Sequence, residues 1–137
     1  MPENDLTELL KLGFRKVGTF SLEEQKLQFS LRDCRNSTGS YAFVVGQKVA
    51  YVGVTKNTLY ARMNGYKNPG PSQETNKRIK PKLVQADGVQ IYFLSEDDIG
   101  KFKTVLQRDE MKREIPTDLS TFERFLISLL RPPWNRT

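Results

Sequence analysis

The chain has 137 residues, of which 22 are lysine or arginine and 16 are aspartate or glutamate, so its net charge is +6. This length predicts one domain with a single core. One cysteine excludes an intramolecular disulfide, and the absence of histidine excludes a histidine-ligated metal and a histidine general base, so any metal must be bound by oxygen.

The N-terminal segment 5–12 predicts a short amphipathic helix that ends at Gly13. No stretch near it is apolar and long enough for export or membrane insertion, so we expect a cytoplasmic protein without membrane contact. For the segment 14–31 the sequence is compatible with two structures. Leu27, Phe29 and Leu31 alternate as in a strand, whereas Ser21 with the acidic residues after it could start a helical turn.

Residues 39–55 alternate between apolar and polar or small residues around Gly46-Gln47, a pattern that predicts two paired strands. A two-residue turn would place Tyr41 and Tyr51 on opposite faces of this hairpin, and a three-residue loop with a bulge would pair them directly. A helix should follow, capped by Thr55, Asn57 or Thr58, with Leu59 and Met63 on its buried face.

The segment 67–82 contains three prolines and predicts a stiff basic loop with at most a brief helical turn. Residues 89–94 predict a strand, and residues 96–116 predict an amphipathic helical insertion. The last helix carries apolar residues at helical spacing from Phe122 and ends before Pro132-Pro133. Glu123 lies at the border of its apolar stripe, and Ser120 with Glu123 also fits a capping box.

Six residues occur in an order that resembles the GIY-YIG nuclease superfamily. Gly39-Ser40-Tyr41 stands for the first half of the signature and Tyr51-Val52-Gly53 for the second. The resemblance continues in the positions of four further residues, which are Arg62, Tyr66, Glu123 and Asn135. Each tripeptide alone is a weak signal, but the ordered set over residues 39–135 is much stronger.

The resemblance implies a small α/β (α+β) nuclease domain over residues 39–137, with a three-stranded antiparallel sheet flanked by helices and with residues 1–38 as an extension packed against it. It also implies that Glu123 binds one Mg²⁺ or Mn²⁺, that Arg62 stabilises charge on the phosphate, and that Tyr41 assists deprotonation of the attacking water. Tyr51 and Tyr66 would form hydrogen bonds there, and Asn135 would orient the site. Because both phenols must reach one site, we predict the register that pairs Tyr41 with Tyr51.

Net charge supports a phosphate-rich partner, since the basic excess lies outside the acidic segment 96–118. The expected partner is DNA, with the double-stranded form favoured, bound by a monomer or a homodimer that cuts at specific sequences. Two alternatives stay open, namely an inactive nucleic-acid-binding relative and a nuclease for RNA or single strands. The residues predicted to contact nucleic acid are Lys56, Lys67, Gln73, Asn76, Lys77, Arg78, Lys80 and Lys82.

Overall fold

The computed structural model describes residues 5–99 and 116–136. Its helices are α1 (Asp5–Leu12), α2 (Leu59–Lys67), α3 (Glu74–Ala86) and α4 (Leu119–Leu130). Its strands are β1 (Arg15–Glu23), β2 (Lys26–Leu31), β3 (Gly39–Val45), β4 (Lys48–Thr55) and β5 (Val89–Ser95). Across these two ranges, no helix is long and apolar enough to cross a membrane.

The strands form one antiparallel sheet in the order β2-β1-β5-β3-β4. The predicted class of mixed helices and antiparallel sheet is therefore confirmed, but the predicted number of three strands is wrong. The two additional strands come from the ambiguous segment 14–31. Glu24 and Gln25 adopt φ angles of 51° and 66°, which form a tight turn between β1 and β2, so Ser21 lies in a strand and starts no helical turn.

In the described part of the chain, two helices cover each face of the sheet. Leu9 of α1 and Phe122 of α4 pack on one face together with Val44. On the other face, Met63 of α2 and Ile79 of α3 pack with aromatic side chains of β3, β4 and β5. The segment 1–38 was expected to pack against the rest of the chain. In the structure, β1 pairs with β5, so residues 15–31 contribute to the same sheet and the same cores.

The hairpin of β3 and β4 has a register that differs from the prediction. Its turn is the two-residue one, because Val45 pairs with Lys48, and a bulge at Ala50 then shifts the pairing so that Phe43 lies opposite Tyr51. Tyr41 therefore pairs with Gly53 and does not pair with Tyr51. The bulge nevertheless brings both phenols to the same face, because it adds one residue to the period-two alternation of β4. Their ring centroids are 6.4 Å apart.

Helix α2 begins as predicted. Thr58 is its N-cap, and its hydroxyl accepts a hydrogen bond from the Ala61 N–H. Helix α3 corrects the prediction of a loop over residues 67–82, since it includes Pro81. A proline inside a helix costs about 3 kcal/mol. Ile79 and Leu83 are fully buried on α3, and burying each contributes about 1.5–3 kcal/mol, which offsets that cost.

Helix α4 has a different N-cap from the one that a capping box would require. Asp118 caps it, because its carboxylate accepts a hydrogen bond from the Thr121 N–H, and Ser120 lies inside the helix. Glu123 therefore does not close the helix start. The helix ends before Arg131, which adopts a left-handed φ of 48°. Of the predicted insertion at 96–116, residues 96–98 form a 3₁₀ turn, and residues 100–115 lie outside the described part of the chain.

Candidate active site

Two tyrosines and one arginine form a closed hydrogen-bonded cluster on the face covered by α2. The hydroxyls of Tyr41 and Tyr66 are 2.6 Å apart. Arg62 donates to both, from Nε to the Tyr41 hydroxyl at 2.9 Å and from Nη2 to the Tyr66 hydroxyl at 2.9 Å. Its guanidinium carbon also lies 4.5 Å from the centre of the Tyr66 ring. The cluster holds the guanidinium plane in one orientation.

A third bond to Arg62 comes from α3. Arg62 Nη1 donates to Asn76 Oδ1 at 2.8 Å, and Asn76 Nδ2 donates to Gln73 Oε1 at 3.0 Å. Asn76 was predicted to contact nucleic acid, but it is 1% exposed and both ends of its amide are engaged, so it is not available for that contact. Its approach depends on Gly65, where a Cβ atom would lie 3.0 Å from Asn76 Nδ2.

Gly53, the glycine in the second half of the signature, leaves room for the Tyr41 phenol. A Cβ atom at Gly53 would lie 2.5 Å from the Tyr41 hydroxyl, so any larger residue would displace the phenol. This contact follows from the observed register, which places Gly53 opposite Tyr41. The motif glycine is thus explained by a close approach of a side chain to the β4 backbone.

Burial raises the pKa of the Tyr41 phenol, and the positive charge of Arg62 offsets only part of that effect. Burial also raises the pKa of Tyr66, and its phenol neighbours add to the rise. For Arg62, burial acts to lower the pKa, but interaction with Tyr41 and Tyr66 outweighs it and the net pKa is raised. At neutral pH the phenols are therefore neutral and the guanidinium is charged.

The motif residue Asn135 and its neighbour Trp134 lie along the outer edge of β4, which is an edge strand of the sheet. Asn135 Oδ1 accepts from the Val52 N–H at 2.9 Å, and Asn135 Nδ2 donates to the Val52 carbonyl at 2.9 Å. The Trp134 N–H donates to the carbonyl of Ala50, the bulge residue, at 2.8 Å. The C-terminal segment is thus fixed to backbone groups that an edge strand leaves free.

Glu123 is half-buried on α4, next to the same strand edge. Burial raises the pKa of its carboxyl, while the charge of Arg62 and a backbone hydrogen bond from Val54 act in the opposite direction. The helix places Glu123 there because Phe122 and Leu126, on either side of it in sequence, are buried in the core.

A cleft of about 750 Å³ joins these residues. Four of the six motif residues line it, namely Tyr51, Arg62, Glu123 and Asn135. Tyr41 and Tyr66 are not among its lining residues and lie behind Arg62, at 1% and 0% exposure. The six motif residues thus form two layers. Four of them line the cleft, and two buried phenols support the arginine from behind.

The cleft also contains residues that the sequence did not indicate, which are Glu74, Thr75, Ile127 and Arg136. Arg136 follows Asn135 directly, and this adjacency is the only sequence signal that pointed to it. The other three could not be found from the sequence because their placement depends on how α3 and α4 pack across the sheet.

The basic residues predicted to contact nucleic acid fall into two groups. Lys77 and Arg78 line the cleft, whereas Lys56, Lys67, Lys80 and Lys82 do not. Arg78 Nη1 donates to the Trp134 carbonyl at 2.6 Å, so this arginine ties α3 to the C-terminal segment. Lys77 Nζ contacts the Pro71 carbonyl and lies 3.7 Å from a Glu74 carboxylate oxygen. Gln73 accepts from Asn76 and from the Gly70 N–H, so its amide oxygen is already engaged.

The carboxylates that line the cleft determine whether it could hold a metal ion. In the described ranges no group of three or more Asp, Glu, Cys or His side chains is arranged to hold an ion. The cleft offers the Glu123 and Glu74 carboxylates. Mg²⁺ is commonly held by one or two carboxylates, with waters and substrate phosphates completing its coordination, so these residues fit such an ion.

No family model and no curated protein sequence matches the chain. Solved structures do resemble it in fold. A mutant of bacteriophage T4 EndoII aligns with a TM-score of 0.65 at 18% identity, over 98% of this chain and 99% of that chain. The restriction endonuclease HPY188I in complex with product DNA aligns with a TM-score of 0.54 at 17% identity, over 66% of this chain and 60% of that chain. At these identities the comparisons show a shared fold.

Proposed function

We propose that the chain is a DNA endonuclease that hydrolyses phosphodiester bonds in double-stranded DNA at specific sequences, with Mg²⁺ or Mn²⁺ as cofactor. One observation carries the proposal: a guanidinium with a fixed orientation and a half-buried carboxylate face the same cleft. The fold likeness to phage EndoII and to a restriction endonuclease with bound product DNA supports this function.

Arg62 would bind the scissile phosphate. A guanidinium has five N–H donors, and three of them are used by Tyr41, Tyr66 and Asn76. The two N–H groups that remain belong to the two terminal nitrogens, which suits a bidentate contact with phosphate oxygens. Fixed donors of this kind stabilise charge as it develops and require no reorganisation during the reaction.

Glu123 would hold the divalent ion, which supplies neutralisation of phosphate charge and acidification of a bound water. The elevated pKa of the Glu123 carboxyl reflects burial that an adjacent cation would compensate. Asn135 does not need to contact this ion, because both ends of its amide are engaged by Val52. Its proposed role is to hold the C-terminal segment against the cleft.

The three tyrosines would have two different roles. Tyr51 lines the cleft and can form a hydrogen bond to the attacking water or the phosphate. Tyr41 was expected to assist deprotonation of that water, but its burial, its raised pKa and its two hydrogen bonds favour a positioning role toward Arg62. Tyr66 shares that role.

The direct test is incubation of the purified protein with supercoiled plasmid, single-stranded DNA and RNA, each with Mg²⁺, with Mn²⁺ or with a chelator. The expected result is nicked or linear plasmid only when a divalent ion is present. Discrete fragments from a longer duplex would show sequence specificity. Cleavage confined to RNA or single strands would favour the alternative nuclease, and binding without any cleavage would favour an inactive binding relative.

A further inference from the structure

A second groove of about 750 Å³ runs beside the cleft along the C-terminal half of α4. The two depressions are continuous, because Ile127, Asn135 and Arg136 line both of them. Arg124 and Arg131 line only the second groove, whereas Lys77 and Arg78 line only the cleft. The two basic groups therefore lie along one continuous depression, and Glu123 and Arg62 line its cleft part.

Arg124, Arg131 and Arg136 are all exposed and are named here the arginine strip. Arg124, Ser128 and Arg131 recur at the spacing i, i+4 and i+7, which places them on one face of the helix and its end. Seven residues of helix correspond to about 10 Å, or about three base-pair steps along a duplex. The spacing suits contacts to several phosphates of one strand.

Among the described residues that line the groove, none carries a negative charge that could cancel the charge of the strip. The described residues that line it include three arginines and no carboxylate. A nearby acid is Asp118, whose pKa is lowered mainly by its hydrogen bond with Thr121 and to a smaller extent by Arg124. The cleft differs, since Glu74 and Glu123 lie among its lining residues. Exposed guanidinium groups without paired acids are typical of phosphate-binding surfaces.

We propose that the arginine strip binds backbone phosphates of duplex DNA next to the part of the duplex that lies in the cleft. The inference rests on the proposed function, because it takes the cleft as the place where the duplex is cut. The strip contacts phosphates and not bases, so it contributes affinity and register without sequence preference.

The test is the salt dependence of duplex binding, measured by fluorescence anisotropy in the presence of a chelator so that cleavage does not interfere. The double variant Arg124→Gln/Arg131→Asn removes two charges. Asparagine is chosen at 131 because it tolerates the left-handed backbone found there. The log-log slope of affinity against salt should fall in magnitude by about 1.8, since each phosphate that is no longer neutralised removes about 0.9.

Two controls make the result specific. Arg124→Lys/Arg131→Lys keeps both charges and should retain most of the slope. Lys26→Gln/Arg32→Gln removes the same charge from exposed positions on and beside β2, at the opposite edge of the sheet from β4, and should leave the slope unchanged. If the double variant does not fold, Arg131→Asn alone should lower the slope by about 0.9.

The outcomes separate this inference from the proposed function. An unchanged slope in the folded double variant, or an equal fall in the β2 control, would overturn the arginine strip whether or not the unmodified protein cuts plasmid. If the slope falls as expected but the plasmid stays intact, the result would support the arginine strip. It would count only against the proposed endonuclease activity. Absence of any salt-dependent duplex binding would overturn both.

Discussion

At the scale of single residues, the site is organised around the guanidinium of Arg62. Two phenols and one amide hold it through three hydrogen bonds, so its position is set by the protein alone. The Glu123 carboxylate interacts with it electrostatically from α4. Preorganised charge of this kind is usually the largest contribution of an enzyme to stabilising a transition state.

Glu123→Gln should abolish most Mg²⁺-dependent cleavage while changing the melting temperature little. The amide oxygen of glutamine can still accept the Val54 hydrogen bond, and burial of a neutral group removes a desolvation penalty. Plasmid cleavage and thermal unfolding measure the two effects. Glu23→Gln, on an exposed residue of β1, is the matched control. Cleavage by Glu123→Gln at the rate of the parent would refute the metal-ligand role.

Tyr66→Phe should lower both stability and kcat while duplex binding persists. The change removes an acceptor from Arg62 and a partner from Tyr41 in a buried site, which costs about 1–3 kcal/mol. Urea unfolding and single-turnover cleavage are the measurements. Tyr60→Phe removes the same hydroxyl from a side chain that is 41% exposed, and it should behave like the parent. Equal losses in both variants would argue against a special role for Tyr66.

At the scale of secondary-structure elements, the bulge in β4 and the cap of α4 determine where the site residues lie. The bulge at Ala50 turns Tyr51 toward the face that carries Tyr41, and the Trp134 N–H binds the Ala50 carbonyl. The cap at Asp118 sets the start of α4 and therefore the direction of Glu123. Both features are local, and each fixes the position of a residue that lines the cleft.

Asp118→Ala should lower the melting temperature, whereas Ser120→Ala should leave it almost unchanged, because only Asp118 caps the helix. The hydrogen bond with Thr121 lowers the folded-state pKa of Asp118 below the ordinary value of an aspartate. The contribution of the ionised cap is therefore present above that ordinary value and is lost as pH falls through the lowered pKa. In thermal unfolding across this pH range, the melting temperature of the parent should approach that of Asp118→Ala as the pH falls. A larger effect from Ser120→Ala would contradict the assignment.

Asn135→Asp should destabilise the C-terminal segment at neutral pH. One carboxylate oxygen still accepts from the Val52 N–H, but the other then faces the Val52 carbonyl, to which the amide had donated. This repulsion raises the folded-state pKa of the new carboxyl, so stability should recover as pH falls through that pKa and the protonated group can donate. Urea unfolding against pH measures it. A pH-independent loss, equal to that of Asn135→Ala, would contradict the paired hydrogen bonds.

At the scale of the whole molecule, the cleft and the arginine strip form one continuous surface, on which the proposed contact with nucleic acid would lie. The cleft lies between α3 and α4 at the β4 edge, and the arginine strip extends it. The basic segment 67–82 was expected to contact nucleic acid as a loop, but its residues 74–82 belong to helix α3. Among the basic residues of this segment, Arg78 also connects two parts of the structure, because its side chain donates a hydrogen bond to the Trp134 carbonyl.

The triple variant Lys77→Gln/Lys80→Gln/Lys82→Gln should weaken duplex binding and reduce its salt dependence by about 0.9 in log-log slope for each phosphate that these lysines neutralise in the parent. Lys77 lines the cleft, so it should account for the first of these units. Arg78→Gln should instead reduce the melting temperature, since it breaks a hydrogen bond between two elements. Anisotropy titrations and thermal unfolding distinguish the two. An unchanged slope in the triple variant would mean that these lysines are solvated and make no phosphate contacts.

The elements that the sequence predicted correctly are those specified by neighbouring residues. Helix α1 with its stop at Gly13, the β3–β4 hairpin, the Thr58 cap, strand β5 and the end of α4 all follow from periodicity and capping within a few positions. The ordered set from Tyr41 to Asn135 likewise indicated which residues could form a site, and four of the six line one cleft.

Tertiary structure alone decided the rest, because those features depend on contacts between distant segments. Strand β1 belongs to the sheet through its pairing with β5, far along the chain, and no local pattern encodes that partner. Helix α3 continues through Pro81 because burial of Ile79 and Leu83 outweighs the cost of the proline. Asn76 is buried, and not exposed to a base, because Arg62 on another helix needs an acceptor. Local sequence specifies elements, and the requirement to bury faces and satisfy polar groups specifies how they meet.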